Sequence, residues 1–145
     1  PKLHEMGKDK QYKKYIITDD RMTRFVMTLD QSVDLIQHAL EYGESGDVVI
    51  PKLISCKIID LIEIFSEKYD KPIERGELRP GEKLLESLIN ETQSMRLIVG
   101  KDGYMFIKPP YKNIMVESDV KDYNSTLNPL NKADLKKYLL DLNLL

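Results

Sequence analysis

The strongest constraint on this chain is how briefly each β-favouring run lasts. Tyr15-Ile16-Ile17-Thr18, Thr23 to Met27 and Val48-Val49-Ile50 are all short, and helical patterns follow the second and third. Strands alternating with helices argue for an α/β layer structure. Three or four such strands make a poor parallel sheet on their own, so the pattern reads as one flank of something larger.

The helices are marked by spacing and by caps. Thr28 with Gln31 fits a capping box, in which each side chain satisfies a backbone N–H at the helix start. Leu29, Val33, Ile36 and Leu40 then fall on one helix face, and Gly43 and Gly46 supply the stop. A second helix is expected from about Lys57 to Lys68, apolar at Ile58, Leu61, Ile62 and Phe65. A third is expected from near Glu82, carrying Leu84, Leu85, Leu88 and Ile89. Met95 to Val99 and Tyr104 to Ile107 flank Lys101-Asp102-Gly103, a hairpin signal. Residues 109–125 have weak periodicity and read as a loop or arm. Asn131 caps a last helix with Leu135, Leu139 and Leu142 on one face. The expected division is an α/β part over 1–108 and a C-terminal arm and helix over 109–145, the latter suited to an oligomer contact.

Several function classes are excluded or left without support. The 22 basic and 24 acidic residues leave a net charge of -2, which gives no general attraction to nucleic acid or an anionic membrane. No apolar run approaches the roughly 18 residues that cross a bilayer. The one cysteine, Cys56, cannot form an internal disulfide, which fits a reducing, cytoplasmic compartment. His4 and His38 are far apart with no cysteine cluster, so no metal site is expected. No G-x-G-x-x-G follows a strand and no G-x-x-x-x-G-K-[ST] occurs, so no cofactor-binding residue is assigned. No residue is assigned a catalytic role. His38 and Cys56 read as structural.

Two arginines carry the candidate chemistry. Arg24 lies in an apolar run beside Phe25 and Val26. An arginine there meets an anion, because an unpaired buried charge is costly, or is turned to solvent by strand alternation, or pairs with Asp20. Arg79 opens Arg79-Pro80-Gly81-Glu82-Lys83. An arginine just before a helix N-terminus is well placed for phosphate; the alternative is an ordinary loop. Glu82 accepts hydrogen bonds from hydroxyls or favours the helix dipole.

Three segments together resemble a known family. They are Ile17-Thr18-Asp19-Asp20-Arg21-Met22-Thr23-Arg24-Phe25, Asp47-Val48-Val49-Ile50-Pro51-Lys52 and Leu78-Arg79-Pro80-Gly81-Glu82-Lys83-Leu84. They are similar to the C-terminal half of the inverting UDP-N-acetylglucosamine 4,6-dehydratases, extended short-chain dehydrogenases/reductases of polysaccharide biosynthesis. Asp122-Tyr123-Asn124-Ser125 with the Leu-rich helix after it is similar to that family's tail. The resemblance implies the substrate-binding part of a Rossmann-type fold, with the cofactor half absent. It implies that Arg24 and Arg79 grip the pyrophosphate of a UDP-N-acetylhexosamine, that Glu82 contacts ribose or sugar hydroxyls, and that Thr23 is a neighbouring contact. It implies NADP or NAD held by the missing N-terminal half, a homo-oligomer, and loss of water across C5 and C6 of the hexose. Pro1 to Met6 read as the end of a helix that begins earlier, so a fragment or a split enzyme is expected. A UDP-sugar 4-epimerase of the same superfamily would use the same arginines. A non-catalytic assembly module is the reading from another class.

Overall fold

Leu97 to Ile107 shows how locally this chain is determined. Lys101 accepts from the Tyr104 N–H (3.2 Å), while Asp102 and Gly103 take φ of 57° and 80°. That is the turn an Asp-Gly pair favours, and the flanking strands pair antiparallel across it, Leu97 opposite Ile107.

The computed structural model describes residues 2–145; of the expected leading helix, Pro1 lies outside them. In chain order the elements are α1 (Lys2–Lys8), β1 (Tyr15–Ile17), β2 (Thr23–Val26), α2 (Leu29–Tyr42), β3 (Val48–Ile50), β4 (Ile54–Lys57), α3 (Ile58–Tyr69) and β5 (Ile73–Arg75). There follow β6 (Ser87–Ile89), α4 (Glu91–Ser94), β7 (Leu97–Val99), β8 (Met105–Ile107), β9 (Tyr123–Asn124) and α5 (Lys132–Asp141). The strands form four small sheets rather than one. β1 pairs parallel with β5; β2 with β4, β6 with β9, β3 with β8, and β8 with β7 are antiparallel.

Two apolar centres hold these pieces. One gathers Tyr15, Ile17, Cys56, Ile64, Phe65 and Leu135 around α3; the other gathers Ile50, Ile89, Leu97, Met105 and Ile107. The tail is not detached from them. Leu135 and Leu139 of α5 are buried against α3, and β9 completes a sheet with β6. At the end of the second centre Lys108 donates to Asp47 (2.8 Å) and Glu44 (3.3 Å), and Lys112 pairs with Glu44 as well. The Asp47 side chain is 1% exposed. Burial opposes its charge, but the Lys108 ammonium and the Glu44 N–H outweigh that and hold its carboxyl below the usual aspartate range.

The helix after β2 forms as read, and the one expected from near Glu82 does not. The Thr28–Gln31 capping box forms as read, yet the apolar face it opens lies outward: Leu29, Val33, Ile36 and Leu40 are all exposed, and His38 is the buried residue of α2. The helix expected from Glu82 is absent. A bend at Leu84 and Leu85 leads into β6, because backbone carbonyls here are claimed from elsewhere: Thr23 N–H donates to Leu84 O (2.9 Å) and Ser125 N–H to Glu86 O (2.8 Å). Leu84 and Glu86, each half-buried between exposed neighbours, alternate with the period of a strand, and half-buried Leu88 continues it up to buried Ile89.

Candidate functional site

Strands β1 and β5 run side by side in the same direction, so the loops that follow them open at one end. Ligands of α/β folds collect at the carboxyl ends of parallel strands, where such loops meet. The loop after β1 is stiffened by its own residues. Arg21 donates its backbone N–H to Asp19 Oδ1 (2.8 Å) and its guanidinium to both carboxylate oxygens (2.7 Å to Oδ2). Those bonds pull the Asp19 carboxyl down to about 2. Arg75, closing β5, pairs with Asp20. Together with Thr18 and Gly76 these residues line an open depression of about 370 Å³.

The loop after β5 carries Arg79 and Glu82. Pro80 and Gly81 make a turn, with Glu82 N–H donating to Arg79 O (3.0 Å) and Glu82 Oε2 accepting from Arg79 N–H (3.2 Å). Gly81 sits at φ 83° with open space where a side chain would be, so the turn's geometry, not crowding, calls for glycine there. Because no helix follows, the phosphate cradle expected from a helix N-terminus is not built; Glu82 stabilises a turn. What remains is an exposed Arg79 whose guanidinium has no ion pair among the described residues, whereas Arg21 and Arg75 are both neutralised.

Arg24 reaches the same loop from β2. Its guanidinium donates to Thr23 O (2.8 Å) and Lys83 O (2.7 Å), and lies 3.7 Å from Glu86. Asp20, the partner allowed for it in the sequence, is held by Arg75 instead. The fork therefore pins the strand leaving the Arg79 turn, with part of its donor set occupied. Thr23 is buried, its hydroxyl 2.7 Å from Ser125 Oγ, and presents nothing to a ligand in this arrangement. The sequence pattern does not single out Glu86, and it offers the buried Ser125, which accepts from Glu86 N–H (2.9 Å) and donates to Thr23 O (3.1 Å), only as the end of a tail motif with no role assigned. Its signal lies in Asp122-Tyr123-Asn124, whose side chains build the turn that delivers it. Ser125→Ala should lower stability by about 1–3 kcal/mol by stranding these groups, seen as a lower urea midpoint at unchanged slope. A midpoint equal to the parent's would mean that water replaces the hydroxyl.

The remaining candidates have structural surroundings. His38 stacks on Tyr104 with ring centroids 3.8 Å apart, and His4 bonds the Tyr69 hydroxyl at 2.6 Å. Burial, with Asp60 nearby, pushes the Cys56 thiol up to about 11, which removes it as a nucleophile at neutral pH. Among the described residues no cluster of three His, Cys, Asp or Glu side chains could hold a metal, and no helix is long and apolar enough to cross a membrane.

Short α/β elements that open two polar loops at the carboxyl ends of a parallel pair, one with an unpaired guanidinium, define one flank of an α/β fold. Comparison with known proteins makes this specific. The chain belongs to the polysaccharide biosynthesis protein family, whose pattern matches residues 6–108. It is similar to a UDP-glucose 4-epimerase of Rickettsia felis, 34% identical over 147 residues that span 92% of this chain and 43% of that protein. An uncharacterized membrane protein of Methanocaldococcus jannaschii is 35% identical, spanning 89% of this chain and 41% of that one. The solved structure of Pen from Bacillus thuringiensis superposes with a TM-score of 0.83 at 27% identity, over 99% of this chain and 46% of that one. The chain thus spans less than half the length of these relatives.

Proposed function

We propose that this chain is the substrate-holding part of a nucleotide-sugar-modifying enzyme. The observation that carries this is the unpaired Arg79 at the mouth of the β1–β5 pair, on a loop tied down by Arg24. A guanidinium offers a fork of donors that suits a diphosphate. In this reading Arg79 takes the pyrophosphate of a UDP-sugar, Glu82 accepts from ribose or sugar hydroxyls, and Arg24 keeps the loop in place beneath them. Family membership and the epimerase named among the relatives support a UDP-sugar as the ligand.

The finer reading is dehydration of UDP-N-acetylglucosamine in surface-glycan synthesis, with NADP or NAD as the redox partner. None of the described strands is followed by a glycine-rich phosphate turn, so these residues do not fit that cofactor. The second reading is 4-epimerisation, favoured by the names of the Rickettsia relatives. A 6-deoxy-4-keto product against a C4 epimer separates the two.

In the longer protein that contains this chain, Arg79→Ala should raise KM for UDP-N-acetylglucosamine about 10- to 100-fold. That is the loss of one charged hydrogen bond of about 1.5–3 kcal/mol. Steady-state kinetics would check it, and an unchanged KM would remove Arg79 from the site.

A further inference from the structure

Consecutive residues of β2 hold the chain that leaves the Arg79 turn, and they do so in different ways. Thr23 N–H donates to Leu84 O (2.9 Å), and the Arg24 guanidinium donates to Lys83 O (2.7 Å). Both acceptors are backbone carbonyls, which any residue would supply. Phe25 N–H donates instead to a side chain, Glu86 Oε2 (3.3 Å). Strand β4 occupies one edge of β2, and among the described residues no strand pairs with the other, so a carboxylate takes the place of a strand there.

The second oxygen of the same carboxylate faces the guanidinium. Glu86 Oε1 lies 3.7 Å from Arg24 Nε, too long for a hydrogen bond and within reach of an ion pair. Arg24 gives its terminal nitrogens to Thr23 O (2.8 Å) and Lys83 O, so Nε is the donor turned to Glu86. One carboxylate therefore spans the peptide N–H of Phe25 and the side chain of Arg24. Ser125 fixes the backbone beneath it on both sides, because Glu86 N–H donates to Ser125 Oγ (2.9 Å) and Ser125 N–H donates to Glu86 O (2.8 Å).

Stability does not explain this ion pair. The Glu86 side chain is 45% exposed and that of Arg24 26%, and pairs this open contribute little to folding. Orientation explains it better. A guanidinium is planar, so contacts at Nε and at both terminal nitrogens fix its plane as well as its position. With that plane fixed, Lys83 O is held in place, and the turn that begins at Arg79 keeps one orientation towards the mouth of the β1–β5 pair.

We propose that Glu86 is a positioning residue for diphosphate binding: it orients Arg24, and through Arg24 the turn that presents Arg79. The inference rests on the reading of Arg79 as the diphosphate contact, and it is independent of the sugar and of the reaction. A glutamine fills the same space but cannot do the same work. Its one amide oxygen serves either Phe25 N–H or Arg24 Nε, and its NH2 group then meets the other, donor against donor.

UDP and uridine, titrated by calorimetry into the longer protein that contains this chain, test the proposal. Glu86→Gln should raise the Kd for UDP about 5- to 20-fold and leave that for uridine within about twofold, because only the diphosphate meets the displaced guanidinium. Its Tm should stay within about 2 °C of the parent's. In an Arg24→Met background the same substitution should change the UDP Kd by less than about twofold, since Glu86 then has no guanidinium to orient. An unchanged UDP Kd for Glu86→Gln overturns the proposal. So does an equal loss for UDP and uridine, an equal loss in both backgrounds, or a Tm lower by more than about 5 °C, each of which makes Glu86 a support of the fold and not of the site. A parent that binds no UDP refutes the proposed function and this inference with it. A parent that binds UDP, with Glu86→Gln binding it equally well, refutes this inference alone.

Discussion

A Lys108→Met chain should unfold at pH 7 with about 3–5 kcal/mol less free energy than the parent, the cost of stranding one member of a buried ion pair. The Lys108 side chain is 11% exposed and that of Asp47 1% exposed, and Asp47 Oδ1 already has no hydrogen-bond partner. The total stability of a domain this size is about 5–15 kcal/mol, so the loss is a large fraction of it. The pH dependence identifies the cause. In the parent the Asp47 carboxyl is held below its ordinary value, so its contribution is present above the unfolded value of about 3.9 and is lost as pH falls through the folded one. Without the ammonium, burial is opposed only by the Glu44 N–H and the Lys112 charge, so the carboxyl rises from its parent value and the contribution is lost. The penalty in the variant is then small below about pH 4 and grows as pH rises. Urea unfolding of both proteins at pH 4 and pH 7 should show the gap widening with pH. A gap of equal size at both would mean that lost packing of the lysine stem, not the stranded charge, is responsible.

Leu135→Ala should cost about 3–5 kcal/mol, as large-to-small changes at fully buried leucines do. Leu135 is 0% exposed in the centre that includes Ile64, Phe65 and Cys56, although it lies in the tail that the sequence sets apart as an arm. Neighbours contributed by α3, β1 and β4 cannot all close the space a missing isobutyl group leaves. Leu135→Met, which nearly conserves volume, should cost less than about 1.5 kcal/mol. Chemical denaturation of the two variants decides the matter. If Leu135→Ala leaves the main transition in place, α5 is an attachment to the fold and not a part of its core.

Much of the local structure is legible in the residues because it depends on neighbours in sequence. The Thr28–Gln31 box, the Asp102-Gly103 turn and the Asn131 cap each close hydrogen bonds within a few residues. Strands β4 and β5 were not legible. Ile54-Ser55-Cys56-Lys57 has no alternation to mark it, and its identity comes from pairing with Thr23 to Val26, about thirty residues away. The Leu84 to Ile89 segment is the sharper case, since its leucines satisfy a helical spacing as well as a strand one. The choice fell to β2 and Ser125, whose donors claim the Leu84 and Glu86 carbonyls that a helix would have used itself.

The candidate site divides in the same way. That Arg24 and Arg79 are the arginines to watch follows from their sequence surroundings alone, because a guanidinium within an apolar run or beside a Pro-Gly turn must find an anion, a carbonyl or water. Which of these each one finds is a matter of what the fold carries to it. Arg24 meets the carbonyls of Thr23 and Lys83, while Arg79 is left open. By itself the sequence determined the caps, the turns, the helix faces and the short strands of an α/β chain, all set by interactions across a few bonds. Only the tertiary structure decided that the loops after β1 and β5 share one end, that Ser125 locks the strand beyond Arg79, and that the apolar stripe of α2 faces outward. Those outcomes depend on backbone donors and apolar surfaces brought together from distant parts of the chain, and no local pattern records which partner prevails.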